Sequence, residues 1–192
     1  MTLEFFHELR DLMSGLSEMS GLKAILIQGN GRHYSSGADL NELLQNIDEQ
    51  IMRDNYRAFV MLEQLKIPVI SAIRGVCLGS AFELALFSHF RICSDDSVLG
   101  LPESSFNLIP GIGGIQRVAN LAGKARAIEI ILRGLTFSAS DALSTGLVDA
   151  VVPKREVLPL ALSFLKRLPE NYNIEARDLY LYKFLKPLNA NS

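Results

Sequence analysis

The sequence has no excess of either charge. Its 19 Lys and Arg stand against 21 Asp and Glu, a net charge of −2 with a pI near 5.9. That balance leaves no basic footprint and argues against nucleic acid as a principal partner. Cysteine is scarce: Cys77 and Cys93 alone, both inside apolar runs and without metal-ligand spacing. They read as reduced core thiols, so neither a disulfide framework nor a metal site is expected. Every long apolar run is cut by Gly, Pro or a charge, and none reaches the roughly 18 residues of a membrane span. The first ten residues mix acids and bases, unlike a signal peptide or an Arg-rich transit sequence. A cytoplasmic protein with no membrane partner is the expectation. Histidine is limited to His7, His33 and His89, and no segment is of low complexity.

What is present is a core. Of 192 residues, 48% are apolar, enough for one globular domain. The stretch Ile67–Glu83 organises the rest. It opens as a β-branched run typical of a strand buried on both faces, breaks at Gly75 and again at Gly79, and turns helical from Ser80. Around it, spacings of three and four predict helices over 3–19, after Leu40, up to Pro68, and over 115–121, 125–132, 155–168 and 174–186. Strands are expected at 24–27, 90–93, 98–100 and 147–152, with a loop from Leu101. Ser138 reads as a helix cap. The order of strand, loop and helix gives the α/β class. The one candidate boundary lies at Pro153, dividing a core over 1–153 from a helical segment over 154–192.

Two carboxylates stand out, Glu83 and Glu103, each after a strand and turn in apolar surroundings. Burial raises a carboxyl pKa, and two neighbouring acids split their values further, so such a pair can hold a water and exchange protons with a substrate. The plainer alternative pairs Glu83 with Arg74 or Arg91 and makes Glu103 a turn cap. Gly29-x-Gly31 and Gly111-x-Gly113-Gly114 each fall short of a dinucleotide fingerprint. Ser36-Gly37-Ala38 and Gly79-Ser80 are either ordinary turns or presenters of backbone N–H groups to one substrate oxygen. Gly75-Val76-Cys77-Leu78-Gly79 has the form of a nucleophile elbow, but no histidine follows at a usable distance, since His89 lies only 12 residues on.

Four segments, in order, resemble the enoyl-CoA hydratase/isomerase (crotonase) superfamily. Lys23–Ile27 through Gly29-x-Gly31-Arg32-x-Tyr34-Ser35-Ser36-Gly37-Ala38-Asp39-Leu40 is similar to its strand and Gly-Ala-Asp loop. Ile67–Glu83 is similar to its central Pro-Val-Ile segment ending in a glycine-rich turn and Glu-Leu. Leu101-Pro102-Glu103 through Pro110-Gly111-Ile112-Gly113-Gly114-Ile115-Gln116-Arg117 resembles its Pro-Glu stretch, and Ser138-Ala139-x-x-Ala142-x-x-x-Gly146-Leu147-Val148 its Ala-x-x-Ala-x-x-x-Gly-Leu-Val segment. Together they are spread over a stretch of about 130 residues of the chain.

The resemblance implies a spiral of ββα repeats followed by a short helical C-terminal region, binding an acyl-CoA thioester. It implies that the N–H groups of Ala38 and Ser80 polarise the thioester carbonyl, that Glu83 activates water, and that Glu103 exchanges the proton at the α-carbon. Ser36, Gly37, Asp39, Leu40, Asn41, Gly79 and Gly111 would line the substrate. The implied reaction is hydration of a 2-enoyl-CoA to a 3-hydroxyacyl-CoA. Double-bond isomerisation, another enolate step, or weak acyl-CoA binding by an oligomer partner are the alternatives. No cofactor is expected beyond the coenzyme A of the substrate, and the implied assembly is a homotrimer or a dimer of trimers. Ser80 stands where hydratases usually carry Gly, and Asn41 replaces a common Lys. Measured against the family, the opening strands and last helices are missing, so the chain reads as a trimmed member, a fragment, or a structure whose missing parts a neighbour supplies. Phe82, Phe106 and Phe137 are candidates for the acyl-tail pocket, with plain core as the alternative.

Overall fold

The computed structural model describes residues 1–16, 21–45 and 48–167. Among the described residues seven strands form two sheets. The larger takes β1 (Ile25–Gln28), β2 (Val69–Ile73), β4 (Phe90–Ser94) and β7 (Ala150–Val152), parallel and in that order. The smaller takes β3 (Val76–Leu78), β5 (Val98–Gly100) and β6 (Thr136–Ser138), with β3 and β5 parallel and β6 antiparallel. Successive turns of chain therefore give one strand to each sheet and then a helix. β2 and β3 precede α4 (Ser80–Leu86); β4 and β5 precede α5 (Gly114–Ala122). The first turn follows the rule in miniature, with β1 in the large sheet and Ser35 bridged in parallel to Cys77 beside the small one. This is the expected ββα spiral.

Parallel neighbours need a crossover, and the crossovers cover the sheet faces with helices. That is why all five residues of β2 and all five of β4 are buried. Ser71, the one polar residue in β2, is satisfied by hydroxyl contacts to Tyr34 (2.9 Å) and Ser88 (2.7 Å).

The helices α1 (Leu3–Gly15) and α3 (Glu49–Glu63) pack on one another outside β2. Each starts on a side-chain cap, Thr2 and Asp48 respectively. On α3 the buried positions are Asn55, Ala58, Phe59 and Leu62, a stripe of helical period. Phe59 is fully buried between Phe6 and Phe87, a burial worth about 1.5–3 kcal/mol. On the far face of the large sheet, α8 (Val157–Lys166) packs on β2 and β4 through Val157, Ala161 and Phe164. The remaining helices α2 (Leu40–Gln45), α6 (Lys124–Arg133) and α7 (Ala139–Ser144) complete the shell.

Several elements differ from the sequence reading. The three apolar residues after Gly75 form β3, a strand too short to show a period. Thr136–Ser138 is likewise a strand, β6, before Ser138 caps α7 in a capping box with Asp141. The expected loop at Leu101 is a 3-10 helix, Pro102–Phe106. The last strand begins at Ala150 rather than 147, and α3 ends at Glu63, before Pro68. Residues 17–19 of the first expected helix, and the expected helix over 174–186, lie outside the described residues.

Candidate active site

Glu83 lies in the first turn of α4 and is 1% exposed. Its partners are not the arginines. Arg91 is paired with Asp149 at 3.0 Å, and Arg74 donates to the Gly31 carbonyl at 3.4 Å. Instead the Glu83 Oε1 accepts two backbone hydrogen bonds, from Ile112 N–H (2.9 Å) and Gly114 N–H (2.8 Å). The glycine-rich loop before α5 is therefore a carboxylate cradle. Only glycine fits at 114, because a Cβ there would stand 2.8 Å from the Glu83 Cγ. Burial pushes the Glu83 carboxyl up to about 7; the Gly114 N–H pulls the other way, the charge of Glu103 adds to the rise, and the Ile112 N–H opposes it.

Glu103 reaches the same place from the 3-10 helix. That helix closes on Asn107, which takes the left-handed conformation (φ 55°), while Leu108 N–H returns to the Glu103 carbonyl at 3.0 Å. The Glu103 Oε1 lies against Gly79, where a Cβ would be 3.2 Å away. Its Oε2 is buried without a hydrogen-bond partner among the described residues. Burial raises the Glu103 carboxyl as well. The structure thus brings the two predicted acids together, each beside the turn that opens α4.

The predicted N–H donors meet at the same turn. Leu78 N–H donates to the Ser35 carbonyl and Ser35 N–H to the Val76 carbonyl, which zips residues 35–37 onto β3. Gly37 (φ +99°) packs so closely that a Cβ would lie 2.7 Å from the Leu78 carbonyl oxygen and 3.5 Å from the Ser80 nitrogen. The next residue, Ala38, is half-buried, and Ser80 is 7% exposed. No hydrogen bond from Ala38 N–H or Ser80 N–H is found among the described residues. Met1 brackets Ala38 on the other side: its nitrogen donates to the Gly37 carbonyl (2.6 Å) and its carbonyl accepts from Asp39 N–H (2.9 Å).

The other predicted substrate residues divide. Gly79 is buried at the turn, beside Glu103, while Ser36 is exposed at the surface next to Gly37. The Asp39 carboxylate caps α2, accepting from Asn41 N–H and Glu42 N–H. Asn41 is exposed and Leu40 half-buried. Gly111 lies on the cradle loop against the Met52 methyl. The aromatic candidates for the acyl tail divide as well. Phe82 and Phe137 stack on each other at 5.6 Å inside the core, and Phe106 is an exposed side chain. Sequence reasoning missed Met1 and Ile112. Ile112 had a signal in hindsight, since its loop carries three glycines and only such a loop can wrap a side chain so closely.

Cys77 is no nucleophile. It is fully buried, its thiol is pushed well above the usual range by that burial, and the His89 ring is engaged by Val69 N–H and the Glu63 carbonyl. Among the described residues no three His, Cys, Asp or Glu side chains gather as a metal-binding group, and no helix is long and apolar enough to cross a membrane.

Comparison with known proteins bears on this geometry. A family model described as Enoyl-CoA hydratase/isomerase matches residues 1–181. An enoyl-CoA hydratase from Bacillus anthracis is 31% identical, with a TM-score of 0.81 over 100% of this chain and 74% of its own. A Thermobifida fusca YX protein named for enoyl-CoA hydratase, solved in complex with CoA, is 26% identical with a TM-score of 0.80 over 100% of this chain and 76% of its own. Pseudomonas aeruginosa DspI is 28% identical, with a TM-score of 0.78 over 95% and 71% respectively.

Proposed function

The chain belongs to the enoyl-CoA hydratase/isomerase family, and from that premise we propose that it adds water to a 2-enoyl-CoA thioester, giving the 3-hydroxyacyl-CoA. The observation that carries the reading is the convergence of two carboxyls, the buried Glu83 and the half-buried Glu103, on the turn that also presents Ser80 N–H beside Gly37 and Ala38.

The chemistry follows from where charge must go. Water adds to the β-carbon while electrons flow through the double bond to the thioester oxygen, which becomes an enolate. Two N–H donors, from Ala38 and Ser80, hold that oxygen; losing one such donor typically costs roughly 10²–10³ in rate. Glu83 takes a proton from the attacking water through the oxygen not gripped by the cradle. Glu103 delivers a proton to the α-carbon, which completes the addition. The roles require one carboxyl ionised and one protonated. Burial raises both carboxyls and the charge of Glu103 raises Glu83 further, so the two titrate as an interacting pair. Isomerisation of the double bond would use the same enolate without adding water.

The test is crotonyl-CoA with the purified chain. Loss of the conjugated enoyl absorbance with formation of the 3-hydroxy product is expected. Shift of the double bond without hydration, or no turnover by folded protein, would overturn the hydratase reading.

A further inference from the structure

Five serines are buried in the described structure, and one of them is unlike the rest. Ser71 and Ser88 share a hydroxyl contact of 2.7 Å. Ser94 donates to the Asp96 carboxylate and meets Ser97 at 2.8 Å. Each has an oxygen partner, as buried hydroxyls generally do. Ser80 does not. Its Oγ donates to the Met1 Sδ at 3.6 Å, and a thioether is a weak acceptor. A hydroxyl on a residue only 7% exposed is thus parked on a poor partner, at the turn where the functional reading puts the thioester oxygen.

Covalent geometry adds the second step. The Oγ of a serine lies within about 3 Å of its own backbone nitrogen in its common rotamers, and rotation about one bond redirects it. An acceptor taking the Ser80 N–H is therefore within reach of the Ser80 hydroxyl. The surroundings allow that approach. Gly79 leaves no side chain between Ser80 and the Glu103 carboxyl, and Gly37 leaves none between Ser80 and Ala38. Exchanging a thioether for a negatively charged oxygen makes the bond charge-assisted, and the gain grows as charge develops.

We propose that the Ser80 hydroxyl is a third hydrogen-bond donor to the thioester oxygen, joining the N–H groups of Ala38 and Ser80, and that Met1 holds it in waiting while the site is empty. The inference rests on the assignment of an acyl-thioester substrate to this site. It gives the serine a use that the glycine usual at this position in the resembling hydratases could not have. The hydroxyl donates and keeps its proton, so no bond is made or broken at Ser80.

The experiment compares Ser80→Ala and Ser80→Thr with the unaltered chain. With crotonyl-CoA, Ser80→Ala is expected to lower kcat about tenfold, the scale of one hydrogen bond to a charged group, and to leave KM within about twofold. Ser80→Thr, which keeps the hydroxyl, recovers most of the rate. A second readout needs no turnover. The absorption band of 4-(dimethylamino)cinnamoyl-CoA moves to the red when its carbonyl is polarised, and Ser80→Ala is expected to give a smaller red shift on binding. An unchanged or faster Ser80→Ala, with an unchanged band, overturns the proposal in favour of a purely steric role. If the unaltered chain shifts the band without hydrating crotonyl-CoA, and Ser80→Ala loses part of that shift, the donor stands and the hydration reading falls. No band shift in the unaltered chain defeats both.

Discussion

The loop over 110–114 and the 3-10 helix over 102–106 each govern one carboxyl of the same site, and they do so in opposite ways. The loop grips. It commits two N–H groups to the Glu83 Oε1, and Gly114 closes on the side chain from below. The 3-10 helix only delivers. Glu103 is positioned by its backbone, through the left-handed Asn107, and one of its oxygens is buried without a partner among the described residues. A gripped carboxylate keeps one orientation and can aim a water. An ungripped one has no hydrogen bond to break when it turns or gains a proton. That contrast matches each acid to its proposed role, and it is open to attack from either side.

The largest effect is expected from the acids themselves. Glu83→Gln and Glu103→Gln should each reduce crotonyl-CoA turnover by about 10²–10⁴, the scale for a lost acid or base. Glu83→Gln belongs at the severe end, because the amide oxygen can still accept the cradle hydrogen bonds and only the base is lost. Steady-state kinetics on both variants checks this; near-normal turnover in either removes the two-acid mechanism.

Next comes a pH dependence of stability. Folding raises the Glu83 carboxyl from 4.5 to about 7. The folded state therefore holds this proton more tightly than the unfolded chain. The associated stability is fully present below about pH 4.5 and is lost as pH rises through about 7, a change on the order of 3 kcal/mol. Glu103 contributes with the same sign, since burial raises it too. Urea unfolding at about pH 5 and about pH 8, either side of most of that interval, should show the protein losing stability, and Glu83→Gln losing much less. An equal slope in both would mean that the cradle compensates fully for burial.

The grip can be tested directly by comparing two glycines of one loop. A Cβ at 114 would lie 2.8 Å from the Glu83 Cγ and 2.9 Å from its Oε1, atoms of a buried side chain held by two backbone hydrogen bonds. Gly114→Ala should reduce stability by about 1–3 kcal/mol, the usual scale of overpacking, and displace the carboxylate. A Cβ at 111 would meet the Met52 methyl at 2.4 Å, but that is the far end of a flexible side chain. Gly111→Ala should leave stability nearly unchanged. If the two variants behave alike, the loop is not a cradle.

The sequence carried the larger part of this arrangement. The β-branched run over Ile67–Ile73 and the break at Gly79 put Glu83 at the head of a buried helix, which is where it lies. Glu103 and the turn at Ser36–Ala38 were equally legible, through the resemblance. Less legible were contacts between distant backbone atoms. No periodicity announces that Ile112 N–H will meet Glu83, or that Met1 will lie beside Ala38, because both depend on how turns of the spiral stack. Three-residue strands such as β3 and β6 are also too short for alternation to declare them. Phe82 and Phe137 were open to two readings for a related reason: the rings pack on each other in the core, and composition cannot tell a ring packed on a ring from one lining a cavity.

The smallest effect separates the site from its support. Tyr34 precedes the turn at 35–38, and its hydroxyl meets Ser71 Oγ, which meets Ser88 Oγ just past α4. This buried chain ties the segment carrying Ala38 to the helix carrying Glu83, as the cradle ties Glu83 to α5. Tyr34→Phe removes one hydroxyl but leaves Ser71 and Ser88 bonded to each other, so no buried group is orphaned. The cost should be about 1 kcal/mol, or roughly 2–4 °C in Tm for a chain of this size. If the chain of hydroxyls only holds the fold together, kcat stays within about twofold of normal below the transition. A fall in kcat much larger than the loss of stability would show that the spacing between Ala38 and α4 is set by Tyr34 as well as by the zipped backbone of residues 35–37.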